Sequence, residues 1–536
     1  MASTVAEAFA ATAAAHGQQP FLIVPARPDR NWHPSGVAFS YAAAAGEVDR
    51  LRARYARAGF GNGHRVALLL ENRPEFFFHY LALNALGAGI VPVNPDYRHD
   101  ELLYLVEHSE ADLAVVLPHR AAEIRGVAAG RTKPPAVVDA LTLPAELTRP
   151  GRPRRSGDPG LDTECALLYT SGTTGRPKGC MLSNFYFLNS ARNYCSLGGL
   201  VDIREAQERF YNPLPLFHMN HLAITATAAI LTANTLVLPE RFSPSRWWPE
   251  VAATGATIIH YLGMVAPMLL NQPPGLADRR HEVRFGIGAG IEPQLHAAFE
   301  QRFGFPMIEV WGMTETGRIF SDSREPRLVD TRAFGRPFAG FEARVVDAQE
   351  RDVPTGAEGE LVVRHSEGAP RHGFFSGYLK HDAATEEAWR GCWFHTGDVV
   401  RQDVSGMLFF VDRKKHIIRR AGENIAAAEV EAVLQAHDDV AQVAVLAVPD
   451  ELREEEVLAC VVPAPGVAAG SSLADALFEH CNARLAYFKA PGWMLFLDKL
   501  PTTGTQKVQK TQIFRTGEDP RSRAGIIDLR TRKKRG

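Results

Sequence analysis

Cysteine is scarce: the 536 residues hold six (Cys165, Cys180, Cys195, Cys392, Cys460 and Cys481), none at a metal-ligating spacing. This excludes a disulfide-stapled secreted scaffold and a zinc module, and reduced thiols in a cytoplasmic protein are the simplest account. An excess of charge of either sign is also missing. Lys and Arg total 59 against 61 Asp and Glu, a formal −2, so no global field draws nucleic acid or an anionic membrane. No apolar run is long enough to span a bilayer, so no transmembrane segment is expected. The opening MASTVAEAFAATAAAHG holds Glu7 and no basic stretch ahead of its alanines, which argues for an amphipathic helix and against an export signal. Internal repeats and long low-complexity segments are absent too; Pro150 to Pro153 is only a loop signal.

What is present exceeds the size one hydrophobic core usually supports, so at least two domains are expected. Arg65 to Leu70 is strand-like, Pro74 to Leu86 has helical spacing, and Ile90 to Val93 resumes a strand after Gly87 and Gly89. That βαβ order predicts a parallel sheet. Further strand-like runs are Leu113 to Leu117, Cys165 to Tyr169, Thr235 to Leu238, Thr257 to Tyr261, Val283 to Ile287 and Met307 to Val310. Several lead into Gly-rich or polar stretches, where ligands bind in open α/β sheets. Gly356 to Arg364 and Gly406 to Val411 read as a β-rich subdomain. Beyond the charged run Asp412 to Arg420, Ile425 to Ala436 and Leu473 to Leu485 read as helices. Val443 to Val448 and Met494 to Leu497 read as strands. The expected fold is α/β: a large N-terminal domain (1–411) of parallel sheets with flanking helices and a β-rich subdomain, a hinge at 412–415, and a small mobile α+β domain at 416–515. The basic segment 516–536 is expected to be frayed.

Leu168 to Gly179, LYTSGTTGRPKG, carries the most chemistry. Hydroxyls of Ser171, Thr173 and Thr174 stand beside backbone N–H groups left open by Gly172 and Gly175, and Lys178 adds a cation. Such a loop can wrap a polyphosphate, each donor meeting an anionic oxygen. It is not the common phosphate loop, because Gly179 follows Lys178 where Ser or Thr is required. The strand-like Cys165 to Tyr169 precedes it, and Met181 to Ala191 is expected to start a helix after it.

The loop resembles the phosphate-binding signature of the adenylate-forming superfamily, which includes acyl- and aryl-CoA synthetases, firefly luciferase and the adenylation domains of peptide synthetases. The similarity runs from about Phe39 to Lys510, with five motifs in family order. It implies that Thr170, Ser171, Gly172, Thr173, Thr174, Gly175 and Lys178 hold the phosphates of ATP. In WGMTETG it implies that Trp311, with Gly312 and Met313, lies beside adenine, Thr314 contacts the α-phosphate and Glu315 holds Mg²⁺. Mg²⁺ takes one or two carboxylates plus phosphate oxygens, so the chemistry agrees. In HTGD, Asp398 at a strand end is implied as the ribose ligand, with Arg413 as a second ribose contact.

Lys507 in PTTGTQKVQK matches the family lysine that bridges acid and phosphate during adenylation, although Gln506 stands where Gly is usual. A lysine on a separate domain implies motion, and Lys415 matches the hinge about which that domain turns. The same resemblance places Gly422 and Glu423 at the pantetheine tunnel, and Arg453 and Phe488 at the nucleotide part of coenzyme A. His218 falls between tunnel and acid pocket, with a gating or substrate-facing role. Tyr261, Gly288, Ala289, Gly290 and Met313 are further acyl-pocket candidates.

The implied activity is ATP-dependent acid–thiol ligation: carboxylic acid, ATP and coenzyme A give acyl-CoA, AMP and pyrophosphate, with Mg²⁺ as cofactor. The branch most resembled holds carnitine/crotonobetaine-CoA ligases and a diterpenoid-acid CoA ligase. One rival is an adenylating enzyme that loads a carrier-protein thiol in trans. Another is a non-catalytic nucleotide-binding regulator, against which Lys507, Glu315 and Asp398 all stand; a phosphoryl-transfer enzyme is a remote third. The acid and the oligomeric state stay open, a homodimer being among the arrangements allowed.

Overall fold

Apolar runs of four to five residues, buried on both faces, set the architecture. Arg65–Leu69, Gly89–Pro92 and Leu113–Val116 are such strands, with all or nearly all of each buried. Strands of that kind are stable only between helical layers, hence in parallel sheets. The structure, a computed structural model, describes residues 2–97, 99–129, 134–170, 177–263, 265–413, 416–420, 423–450, 453–485, 487–502, 508–515 and 517–533. They group into two compact units, 1–342 with 364–394, and 343–363 with 395–536.

The first unit holds two large sheets. One runs in the order Gly377–Tyr378, Lys178–Ser183, Glu164–Thr170, Gly89–Pro92, Arg65–Leu69, Leu113–Val116, Ala136–Asp139, and is parallel from Glu164–Thr170 onward. Its crossover helix Pro74–Asn84 is buried on nearly all sides, as its run of Phe, Tyr and Leu requires. The other sheet runs Phe320–Ser321, Met307–Trp311, Phe285–Ala289, Ile258–Leu262, Arg209–Tyr211, Thr235–Val237, Pro20–Val24, Val37–Ser40, antiparallel only at its two edges. Helix Val5–Ala15 is amphipathic, with Val5, Ala6, Ala8 and Phe9 buried and the Thr4 hydroxyl accepting from Glu7 N at its start.

One element differs from the sequence expectation. Met181 does not begin a helix: Lys178–Ser183 is a strand that returns antiparallel to Glu164–Thr170, with Thr170 opposite Lys178. The helix is Asn184–Cys195, and the Ser183 hydroxyl caps it by accepting from Tyr186 N at 3.2 Å. Three consecutive apolar residues, Cys180 to Leu182, satisfy strand and helix alike, and the partner strand decides between them.

The second unit contains strands Glu342–Val346, Glu358–Arg364, Phe394–Gln402 and Leu408–Arg413 in one sheet. A second sheet is built around Val440–Asp450, Glu454–Pro463 and Trp493–Phe496, covered by helices Ala427–Gln435 and Ser471–Asn482 through Val430, Leu434, Leu477 and Phe478. This grouping puts the β-rich stretch with the C-terminal part, whereas a boundary at 412–415 puts it with the first domain. A local reason is that Asp412, next to last in strand Leu408–Arg413, accepts from Ala428 N at 2.8 Å in the first turn of helix Ala427–Gln435.

The C-terminal segment is not frayed over 517–533. Ile527–Asp528 pairs with Trp493–Phe496, and Leu529 is 2% exposed. Its basic residues are used in ion pairs: Arg530 with Asp450 and Asp528, Arg532 with Asp475 and Glu479, and Lys533 with Glu456.

Candidate active site

Three neighbouring strands of the eight-stranded sheet bring candidate residues to one edge. Tyr261 is opposite Gly288, and Gly288 is opposite Glu309, close to the carboxyl ends of Ile258–Leu262, Phe285–Ala289 and Met307–Trp311. A side chain at Gly288 would run into the carbonyl oxygen and ring of Tyr261, so only glycine allows this approach. Ala289, Gly290 and Met313 reach the surface at this edge, whereas Gly288 and Tyr261 lie beneath it. The Tyr261 hydroxyl donates to Ile308 O at 3.0 Å and to Glu309 Oε1 at 2.6 Å. Glu309 also accepts from Gly290 N at 2.8 Å and Ile291 N at 3.2 Å, and burial lifts its pKa to about 7.

Beyond Trp311 the chain turns through Gly312, Met313, Thr314 and Glu315. Thr316 closes that turn, its hydroxyl donating to Met313 O at 3.0 Å, while the Tyr186 hydroxyl donates to Thr314 O at 2.7 Å. Trp311 is 6% exposed and stacks on Phe320, ring centroids 5.6 Å apart, with Phe334 and Phe341 in the same pile. Gly312 is exposed beside it, and Thr314 is partly so. The Glu315 carboxylate is buried and accepts from the Tyr378 hydroxyl at 2.9 Å. Lys178 Nζ lies over the Tyr378 ring, 4.8 Å from its centre.

Of the loop itself, Thr170 ends strand Glu164–Thr170 and Lys178 begins Lys178–Ser183. Ser171, Gly172, Thr173, Thr174 and Gly175 lie outside the described residues, as do Lys415, Gly422 and Lys507. His218 is exposed, its ring 4.5 Å from that of Phe217, just ahead of the π-helical turn Asn220–Ala226. Such turns often mark functional sites. Within that turn His221 is fully buried, its Nδ1 2.6 Å from Leu214 O, and burial lowers its pKa to about 4.

In the second unit Asp398 is not at a strand end. It sits inside Phe394–Gln402, directly opposite Arg413 of Leu408–Arg413, and the two side chains form an ion pair with Nε–Oδ1 2.6 Å. The turn-forming Gly-Asp pair is overridden by strand pairing, with Gly397 N held by Glu360 Oε1 at 3.2 Å. Also in this unit, Arg453 approaches Asp450 at 3.8 Å, and the Phe488 carbonyl accepts from Lys533. Glu423 opens strand Glu423–Ala426, paired with Ile417–Arg420.

The sequence model for AMP-binding enzymes matches residues 9–379, and that for the AMP-binding enzyme C-terminal domain matches 429–507. The chain belongs to the AMP-binding enzyme family. It is 32% identical over 521 residues to a sulfoacetate–CoA ligase of Cupriavidus necator, covering 95% of this chain and 97% of that protein. It is 30% identical over 494 residues to a crotonobetaine/carnitine–CoA ligase of Proteus mirabilis, covering 89% and 93%. Among solved structures, the o-succinylbenzoate coenzyme A synthetase of Bacillus subtilis with AMP superposes at TM-score 0.80 with 25% identity, over 95% of this chain and 98% of that one.

Sequence reasoning missed several residues that the fold brings beside the candidates. Tyr186, Tyr378 and Glu309 are part of no linear motif, and His221, three residues after His218, carries no signal that separates it from a core histidine. Only the apolar-flanked Glu309, two residues before Trp311, carries a local signal, a carboxylate inside a buried strand.

Proposed function

We propose that this AMP-binding enzyme joins a carboxylic acid to coenzyme A in two steps. The acid's carboxylate oxygen attacks the α-phosphorus of ATP, releasing pyrophosphate and giving an acyl adenylate. The thiol of coenzyme A, losing its proton, then displaces AMP to give the thioester. The observation that carries this proposal is the Lys178–Tyr378–Glu315 arrangement, in which one buried tyrosine meets a cation over its ring and a carboxylate at its hydroxyl. Support also comes from the relatives, both acid–CoA ligases by name and matched over most of their length.

The roles proposed are those the family resemblance implies. Thr170, Lys178 and the loop between them take the β- and γ-phosphates; Trp311, with Gly312 and Met313, serves adenine and Thr314 the α-phosphate; Asp398 and Arg413 take the ribose. Lys507 is the cation delivered for adenylation, turning about Lys415. Gly422, Glu423, Arg453 and Phe488 serve coenzyme A. Ala289, Gly290, Met313 and His218 border the acid. Among the described residues no group of three or more His, Cys, Asp or Glu side chains is arranged to hold a metal. Glu315, a buried carboxylate held by Tyr378, fits Mg²⁺ that brings phosphate and water ligands with it. Bound there, Mg²⁺ would neutralise charge on the phosphate oxygens. No helix among the described residues is long and apolar enough to cross a membrane, and all six cysteines are free; the cytoplasm is the compartment we propose.

The substrate we favour is a small polar acid, because the relatives are by name ligases of sulfoacetate and of crotonobetaine or carnitine. The test is pyrophosphate release with ATP, Mg²⁺ and a panel of short sulfonated, betaine, aliphatic and aromatic acids, with and without coenzyme A. Acid-dependent pyrophosphate and AMP, with thioester only when coenzyme A is added, is the expected result. Release of ADP, or thioester formed only on a carrier protein, would refute it.

A further inference from the structure

The basic C-terminal segment carries a buried charge at Lys533. Lys533 has 1% side-chain exposure, and its Nζ donates to Glu456 Oε1 at 2.6 Å and to the Phe488 carbonyl at 2.8 Å. Glu456 is fully buried on strand Glu454–Pro463, and its Oε2 accepts from Arg420 Nε at 2.8 Å. Arg420 closes strand Ile417–Arg420, immediately before residues 421–424. Gly492 leaves the room for this packing, since a Cβ there would collide with the Glu456 side chain. A buried ammonium is tolerated only when paired and hydrogen-bonded. Burial, with Arg420 and Arg453 nearby, pulls Lys533 down to about 8.

A second arm of the same segment reaches another candidate. Arg530 donates to Asp450 Oδ2 at 3.1 Å, its guanidinium lying 4.3 Å over the Trp493 ring. The opposite oxygen of Asp450 is 3.8 Å from Arg453. The two arms thus end on Phe488 and Arg453, far away in sequence yet both assigned above to the nucleotide part of coenzyme A.

We propose that residues 529–533 are a positioning device for thiol transfer: Lys533 fixes the Phe488 main chain, and Arg530 fixes Arg453 through Asp450. The inference rests on the coenzyme A ligase function and its placing of Phe488 and Arg453. Neither basic residue touches the substrate in this scheme. Each acts through the group it holds.

The test compares Lys533→Ala, Lys533→Gln and Lys533→Arg in the full-length enzyme. Three quantities are measured: acid-dependent pyrophosphate exchange without coenzyme A, kcat/KM for coenzyme A, and kcat/KM for pantetheine, which lacks the nucleotide. For Ala and Gln, kcat/KM for coenzyme A should fall about tenfold, the scale of one charge-assisted hydrogen bond. Exchange and pantetheine should stay within about twofold, and Arg should restore coenzyme A. Should Lys533→Ala not fold, Lys533→Gln, which keeps a polar side chain but not the charge, decides. Equal losses with coenzyme A and pantetheine, a parallel loss of exchange, or no change at all would each overturn the proposal. Wild-type enzyme without exchange on any acid would sink the ligase function instead. In that case calorimetric binding of coenzyme A to wild type and Lys533→Gln still tests the tail, equal affinities refuting it.

Discussion

The Tyr378 hydroxyl donates to Glu315 Oε1 at 2.9 Å, while its ring faces Lys178 Nζ at 4.8 Å. Tyr378 reaches this place on the short strand Gly377–Tyr378, where it pairs with Cys180, two residues after Lys178. Tyr378→Phe keeps the ring and deletes only the bond to the carboxylate. A hydrogen bond to a charged group is worth about 1.5–3 kcal/mol, or about 10- to 100-fold. Pyrophosphate exchange at limiting Mg²⁺ should drop by that order, with much of it recovered at saturating Mg²⁺. An unchanged Mg²⁺ dependence would detach Tyr378 and Glu315 from the metal.

Lys507 allows the two half-reactions to be separated. If it meets the acid and phosphate only during adenylation, Lys507→Ala should lower acyl-adenylate formation by about 100-fold or more, the scale of a charge aimed at the transition state. Thioester formation from synthetic acyl adenylate should change by no more than about threefold. Single-turnover measurements with each substrate decide, and matched losses would contradict a domain that turns between steps.

Much of this was readable in advance, and the exceptions share one physical cause. Strands such as Leu113–Val116 and Met307–Trp311 announce themselves because burial on both faces demands an unbroken apolar run. Lys178–Ser183 does not, since its apolar residues fit helix and strand equally until Glu164–Thr170 offers a partner. Glu315 is visible within its motif, but Tyr378 is 63 residues away and no local pattern links them. Lys533 reads as solvated because its partner Glu456 lies 77 residues upstream. Composition describes a segment by itself, whereas ion pairs that bury it depend on what the fold brings near.

Asp398 and Arg413 face each other across paired strands at 2.6 Å, so the guanidinium orients the carboxylate before any sugar arrives. Replacing Asp398 with Asn keeps the shape and removes charge from the acceptor proposed for both ribose hydroxyls. The KM for ATP should rise about tenfold, because hydrogen bonds to charged groups contribute about 1.5–3 kcal/mol. The decisive comparison is 2′-deoxy-ATP. Wild type should discriminate against it, and Asp398→Asn should discriminate less, since the lost hydroxyl no longer had a charged partner. Equal discrimination by both enzymes would move the ribose elsewhere.

Glu309 supplies a pH test. Its carboxylate, partly buried beneath Gly290 and Ile291, has a pKa raised from 4.5 to about 7, with burial the largest cause. Between those values the folded enzyme keeps a proton that the unfolded chain releases, so stability falls as pH rises through the window and is level above it. The full shift corresponds to about 3 kcal/mol at about 1.4 kcal/mol per pH unit, and contact with solvent at the rim lowers the expectation to about 2. Glu309→Gln cannot titrate, yet its amide can still accept from a backbone N–H and donate to the Tyr261 hydroxyl. Melting temperatures of the two enzymes should therefore differ little near pH 5, diverge in favour of Gln up to about pH 7, and run parallel beyond it. A difference independent of pH would mean that the carboxylate is ionised throughout, held so by Tyr261 and the two N–H groups.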